Sequence, residues 1–387
     1  MKDKQGHRRL TESTKPMENG ARIAIVLGTR PEIIKMCPVI RACQQRGDEF
    51  ILVHTEQHHK YEMDKVFFDD LQLPAPHYRL GIGSGTHGKQ TGKLLIGIEE
   101  VLLKERPAVV LVQGDTNTVL AGALAAAKLH IPLGHVEAGL RSYDRRMPEE
   151  LNRVLADHAS EYLFAPTEEG RNILLGEGIP EDKIFVTGNT IVDAIQQNLE
   201  IARRSCDPLK THRLKPRGYI VVTAHRPENV DHQDNLKELL SAIDLVQRQL
   251  SIPLICSLHP RTKSMIERFG LQVPENIVVI KPLGFLEFLQ LEANASLILT
   301  DSGGMQEEAC ILGVPCVTLR DNTERPETVA VGANVLAGIQ PRRVLSGVKE
   351  MLGKNGGWSN PFGDGTSGAR IVDLISNRPG SEERATN

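Results

Sequence analysis

At 387 residues and a formal net charge of −3, from 46 Lys+Arg against 49 Asp+Glu, the chain lacks the basic excess of a general nucleic-acid binder. Its length suits two domains, and 40% hydrophobic with 25% charged residues is an ordinary globular profile that needs no staples. No apolar run reaches the roughly 18 residues of a membrane span, the polar N-terminus has no signal-peptide core, and six cysteines without a CxxC pair read as buried thiols in a reducing cytoplasm, not as a zinc site or a disulfide framework.

Residues 1–20 carry many charges and few large apolar side chains, which predicts a disordered tail. From residue 21 the pattern is regular. Continuous apolar runs at 21–29, 50–55, 108–115, 132–138, 162–167 and 184–188 alternate with amphipathic stretches such as EIIKMCPVIRACQQRG and GKLLIGIEEVLLKERP. Runs of that kind belong to strands covered on both faces, and the alternation predicts βαβ units in a parallel sheet. The segment 191–218 is helical and then polar, and reads as a hinge region. A second set of strands follows at 219–225, 253–259, 277–282, 297–301, 315–319 and 334–338. The fold class is therefore α/β: two Rossmann-like, doubly wound domains, the first over 21–190 and the second over 191–366. In such sheets ligands bind outside the carboxyl ends of the strands, so two domains facing each other would leave a cleft there.

The strand ends carry the chemistry. The first strand runs into LGTRPEIIK, where Arg30 and Lys35 lie at a helix N-terminus, either as an anion site or as solvated charges beside a βα turn. The full GxGxxG is absent, so a nicotinamide cofactor is not indicated. GSGTHGKQ at 83–90 nearly fits a phosphate loop, but Gln90 stands where Ser or Thr must hold Mg²⁺, and no strand clearly precedes it; it reads as a glycine-rich loop. Asp115 ends the third strand in QGDTNT, Glu137 lies near the tip of the fourth in HVEAGLRS, and Glu149 follows in the first turn of a helix opened by Pro148. Three carboxylates on one sheet edge point to acid–base work, because clustered acids raise one another's pKa. Metal binding is the competing use, and no DxD or His-Glu spacing supports it.

In the second half, TAHRPEN places His225 and Arg226 directly after a strand, a group that titrates near neutrality beside a phosphate partner. In LILTDSGGMQEEA, Asp301 ends a strand, and Ser302, Gly303 and Gly304 open a helix whose N-terminus suits a diphosphate. Glu307 and Glu308 lie about one turn on, placed for ribose hydroxyls, and Arg325 in LRDNTERPE reaches the same edge.

GTRPEIIK, QGDTNT, HVEAGLRS, PEELNR, AHRPEN, DSGGMQEEA, TERPE and NPFGDGTSGARI, in that order over about residues 21–376, resemble the non-hydrolysing UDP-N-acetylglucosamine 2-epimerases. The resemblance implies the glycosyltransferase B architecture, with a C-terminal helix over 367–377 returning to the first domain. It implies interconversion of UDP-GlcNAc and UDP-ManNAc by elimination of UDP to a 2-acetamidoglucal and re-addition, without a metal or a nicotinamide. It also implies a cytoplasmic homodimer serving polysaccharide biosynthesis, with a UDP-sugar as its partner and neither nucleic acid nor membrane. By motif, Asp115, Glu137, Glu149 and His225 match the family's catalytic positions. Arg30, Lys35, Ser302, Gly303, Gly304, Glu308 and Arg325 match its UDP-sugar contacts, Phe288 matches a residue near the uracil, and Arg226 joins them as a phosphate partner. Two departures stand out: Leu283 where bacterial members often have Gln, and TEQHHKYEM, which keeps Gln57 and His58 of an activating-site motif but differs at the next positions. They leave open the activation by a second UDP-sugar and a sister specificity for UDP-2,3-diacetamido-2,3-dideoxy-glucuronate. A UDP-dependent glycosyltransferase of the same fold and a non-catalytic nucleotide-sugar sensor are the rivals, and the three acids of the first domain weigh against both.

Overall fold

The computed structural model describes residues 23–57, 61–354 and 356–377. The tail 1–20 and His58 lie outside the described residues. The strands are β1 (Ile23–Leu27), β2 (Phe50–His54), β3 (Tyr78–Arg79), β4 (Val109–Gln113), β5 (Leu133–Val136), β6 (Tyr162–Ala165), β7 (Ile184–Val186), β8 (Ile220–Thr223), β9 (Leu254–Ser257), β10 (Ile277–Ile280), β11 (Leu297–Thr300), β12 (Cys316–Thr318) and β13 (Asn334–Leu336). The chain divides into two compact units, one running to Ala194 and resuming at Phe362, the other Ile195–Pro361. Among the described residues the first holds a seven-stranded sheet ordered β3-β2-β1-β4-β5-β6-β7, and the second a six-stranded sheet ordered β10-β9-β8-β11-β12-β13. All paired strands are parallel.

The continuous apolar runs have a direct cause. In β8 and the residue before it, Ile220 and Val222 enter one buried cluster while Tyr219 and Val221 enter the cluster on the opposite face. β11 repeats this, with Leu297 and Leu299 on one side and Ile298 on the other. Successive side chains point to opposite faces, so a strand with helices on both sides must be apolar at every position. Each strand read from the sequence is found within two residues at each end. β3 was not read: it is two residues long, at the sheet edge, and pairs only Tyr78 and Arg79 with Val53 and His54.

The helix Arg30–Arg46 follows β1. Pro31 stands in its first turn, where a missing N–H is harmless, and Gly47 closes it in the left-handed region at φ 75°. Pro38 lies inside this helix and is met by the C-terminal helix Ser367–Ser376 at Gly368, where an added Cβ would come within 2.8 Å of the Pro38 carbonyl carbon. The Gly368 N–H donates to Asp193 at 2.9 Å, so the C-terminal helix is fixed on the first unit. The boundary between the units falls within the helix Thr190–Ser205, and the polar segment after it belongs to the second unit. Among the described residues no helix is long and apolar enough to cross a membrane.

The glycine-rich stretch 83–90 departs from the expected loop. β3 does precede it, and the helix His87–Glu105 already includes its last four residues. Gln90 is buried and donates to the carbonyls of Gly83 at 2.8 Å and Gln57 at 3.2 Å. The residue where a phosphate loop needs a hydroxyl for Mg²⁺ instead staples the loop shut.

Candidate active site

In each sheet the strand order reverses once, between β1 and β4 in the first and between β8 and β11 in the second. These are the switch points where the loops leaving adjacent strands part and expose a crevice. The candidate residues of each unit follow these strands and their neighbours.

In the first unit β1 gives way at Gly28, where a Cβ would lie 2.1 Å from the Thr118 hydroxyl and 2.7 Å from that of Thr55. Arg30 is exposed and sits 4.6 Å above the Phe67 ring, a cation–π distance. Lys35, read in the sequence as an anion contact, donates to both carboxylate oxygens of Glu137 at 2.6 and 2.7 Å. Gln113, the last residue of β4, donates to the same carboxylate. Glu137 itself leaves β5 in the left-handed region, at φ 71°. For a residue with a side chain this conformation costs on the order of 1–3 kcal/mol, and such strain gathers at functional sites.

Asp115 leaves β4 and is held by the Arg153 guanidinium, while its carbonyl accepts from Asn152 at 2.9 Å. Both partners lie on the helix Pro148–Ala159, one turn beyond Glu149. Glu149 is exposed in the first turn of that helix. Its neighbour Glu150 is buried and accepts the Ser142 and Tyr143 N–H groups and the Ser142 hydroxyl, each at 2.9 Å. Burial raises the Glu150 pKa, and these donors outweigh it, so the carboxyl lies below its usual range. Of two adjacent glutamates, then, one organises the 142–150 loop and the other is free for solvent or ligand. The structure thus brings Asp115 and Glu137 to the ends of neighbouring strands, and ties Asp115 to the helix that carries Glu149.

In the second unit Asp301 is fully buried at the end of β11 and organises the turn after β8. Its carboxylate accepts the N–H groups of His225 and Arg226 at 3.0 Å and the Asn229 amide at 3.1 Å, and His225 Nδ1 lies 3.1 Å away. Burial works against the charge, but these donors hold the Asp301 carboxyl below the ordinary range. His225 is thereby aimed by a carboxylate, with its other ring nitrogen left for chemistry or binding. Ser302 caps the helix Gly303–Leu312 through Met305 N at 3.5 Å. Gly304 is exposed in its first turn, and Gly303 presents no side chain there. Arg226 approaches Glu324 at 3.8 Å, and Arg325 Nε pairs with Glu307 at 2.8 Å. That pairing corrects one expectation: Glu307 is buried against Arg325, not presented to a ribose, whereas Glu308 is half-buried on the next position. Phe288 is half-buried on the helix Phe285–Ala293 and packs, with Leu283, on the cluster beneath.

Two groups escaped the sequence reading. Glu32 is buried in the first turn after Arg30, accepting from Gly28 N at 3.1 Å and from the Thr116 hydroxyl at 3.0 Å. Burial pushes its pKa up to about 7, and the Thr29 and Thr116 hydroxyls hold it from rising further. Its place in GTRPE was the available signal, but Thr116 is 84 residues away. His135, two residues before Glu137, is fully buried between Asp157 and the Gly114 carbonyl. Among the described residues no group of three His, Cys, Asp or Glu side chains is placed to hold a metal ion.

A family model described as UDP-N-acetylglucosamine 2-epimerase matches residues 41–376. The UDP-N-acetylglucosamine 2-epimerase of Methanocaldococcus jannaschii is 56% identical over 361 residues, covering 92% of this chain and 99% of that one. Its crystal structure in complex with UDP-GlcNAc and UDP matches at a TM-score of 0.81, covering 92% of this chain and 100% of that one. The UDP-2,3-diacetamido-2,3-dideoxy-D-glucuronate 2-epimerase of Pseudomonas aeruginosa is 42% identical over 359 residues, covering 92% and 99%.

Proposed function

The chain belongs to the UDP-N-acetylglucosamine 2-epimerase family and is an epimerase of glycosyltransferase B architecture, and from that premise we propose that it inverts C2 of UDP-GlcNAc to give UDP-ManNAc. A base removes the C2 proton as the C1–O bond to UDP breaks, leaving a 2-acetamidoglucal and UDP. UDP then adds back to C1 while a proton reaches C2 from the opposite face. No electrons leave the sugar, so neither a hydride acceptor nor a redox metal enters the scheme. Asp115, Glu137, Glu149 and His225 form the acid–base set. The N–H groups at Ser302, Gly303 and Gly304, with Arg226 and Arg325, receive the departing diphosphate. Arg30, Lys35 and Glu308 contribute further contacts to the UDP-sugar, and Phe288 lies toward the base. The same reading makes the protein a homodimer.

The observation that carries this reading is the gathering of Asp115 and Glu137 at the ends of the neighbouring strands β4 and β5, of which β4 borders the switch point of its sheet, with Asp115 tied to the helix of Glu149. The choice of sugar is supported by the greater identity to the UDP-GlcNAc enzyme, 56% against 42% for the diacetamido-glucuronate enzyme. Purified protein and UDP-GlcNAc alone in D₂O test both points by NMR. The expected product is UDP-ManNAc carrying deuterium at C2. Absence of deuterium at C2 overturns the mechanism, and turnover of only the diacetamido-uronate in a parallel tube reassigns the sugar.

A further inference from the structure

His135 lies in β5 opposite Val112 of β4, with no exposed surface. Its Nδ1 is 2.6 Å from Asp157 Oδ1, and its Nε2 is 2.8 Å from the Gly114 carbonyl oxygen. A carbonyl oxygen can only accept. Asp157 also stands as an acceptor: its other oxygen is 2.7 Å from Arg141 Nη1, whose buried guanidinium favours the ionised carboxylate, and it receives the Gly139 N–H at 3.2 Å. A neutral imidazole has one N–H and one lone pair, so either tautomer would face an acceptor with a lone pair in a fully buried place. We propose that His135 is a permanently protonated imidazolium that positions the Gly114–Asp115 turn, a role that rests on the reading of Asp115 as an acid–base residue.

Charge and backbone geometry agree with this assignment. The groups facing the ring are the Asp157 carboxylate, Arg141 beyond it and the Glu137 carboxylate, and Glu177 pairs with Arg141 at 2.7 Å on the far side. With Lys35 on Glu137, three cations stand against three anions and leave no uncompensated positive charge in the interior. Gly114 leaves β4 at φ 82°, and its N–H already donates to Val136. Asp115 is thus pinned on both sides: the carbonyl before it by His135 and its own carbonyl by Asn152. Asn152 and Asp157 lie on the same helix, so the imidazolium joins β5, the turn and that helix into one frame around the acid.

NMR of protein labelled with ¹⁵N in histidine tests the charge without substrate, from about pH 6 to pH 9, the range across which an ordinary histidine loses its proton. The His135 signal is identified by its loss in His135→Gln. Both ring nitrogens are expected to be protonated and unmoved throughout. A lone-pair-bearing nitrogen, or a titration within the range, overturns the proposal even if the enzyme epimerises normally. If His135→Gln fails to fold, neutron diffraction of the wild-type protein reads the same two hydrogens. The positioning role is tested by a pair of variants. His135→Gln keeps an amide near Nε2 that can reach the Gly114 carbonyl, and His135→Asn keeps one near Nδ1 only. We expect kcat to fall by about 10²-fold in His135→Asn and less in His135→Gln, with KM for UDP-GlcNAc within about twofold of wild type. Equal losses in the two variants, or unchanged turnover in both, refute positioning through Gly114.

Discussion

Glu32 sits with one oxygen on the Gly28 N–H and the other on the Thr116 hydroxyl, fully removed from water, with a pKa of about 7 against an ordinary 4.5. Below pH 4.5 it is protonated whether the chain is folded or not. Between pH 4.5 and 7 the folded protein keeps a proton that the unfolded chain has released, so stability falls as pH rises across that window, by about 3 kcal/mol in all. Glu32→Gln can donate to Thr116 and accept from Gly28, mimicking the protonated acid. Urea denaturation should find the variant more stable than wild type at about pH 8 and similar to it below the lower end of that window. A slope across the window as steep as that of wild type would show that the charge is carried elsewhere. The three outer acids have a different test. Asp115→Asn, Glu137→Gln and Glu149→Gln should each lower kcat by about 10²–10⁴-fold with the fold intact by circular dichroism. Glu149 is the sharpest of these: it is exposed in the first turn of its helix, so a large loss there means chemistry and not packing. The sequence could not separate it from Glu150, because adjacency in a helix says nothing about which of two glutamates turns inward.

The C-terminal helix is fixed by the absence of a side chain. At Gly368 the C-terminal helix rests on the backbone of Pro38, and Gly368→Ala would place a carbon 2.8 Å from it. The variant should lose about 1–3 kcal/mol of stability by urea denaturation, as an overpacked contact does. Unchanged stability would mean that the helix can slide. At the other glycine-opened end, Gly303→Val should weaken UDP binding by closing the backbone to the phosphates, and Arg325→Ala by removing a charge. Calorimetry with UDP alone reads both, and wild-type affinity in both variants moves the diphosphate away from this helix. Elements of this size were legible in the sequence because their physics is local. A strand buried on both faces must be apolar at each position, as Tyr219–Val222 are, and a helix opening after a strand declares itself by Pro31 or Pro148. β3 was not legible, since two residues at an edge carry no period. The staple made by Gln90 was hidden because one of its two partners, the Gln57 carbonyl, is 33 residues away.

At the scale of the whole molecule, the motifs named the strand-end acids and the proposed diphosphate helix but not what aims them. Asp301 beneath His225, Glu32 beneath Thr116 and His135 beneath Gly114 all act through partners distant in the chain, which one sequence does not pair. The proposed homodimer is expected to use the apolar side chains exposed on the first unit. Ile96 and Leu103 are more than half exposed on the helix His87–Glu105, and Leu151 and Leu155 are exposed on the helix Pro148–Ala159, with Met147 just before it. Ile96→Glu with Leu103→Glu should yield a folded monomer by sedimentation, and a dimer that survives both changes places the interface elsewhere. The chain has one tryptophan, Trp358, whose indole N–H donates to the Cys310 carbonyl at 2.9 Å, near the far end of the helix that Ser302 caps. Its fluorescence is therefore a lamp mounted in the second unit alone. A UDP titration followed at that wavelength watches the proposed diphosphate helix from behind, and a melting curve so recorded is blind to the acid-bearing unit. Comparing it with circular dichroism, which sees both units, would reveal whether they unfold together or in turn.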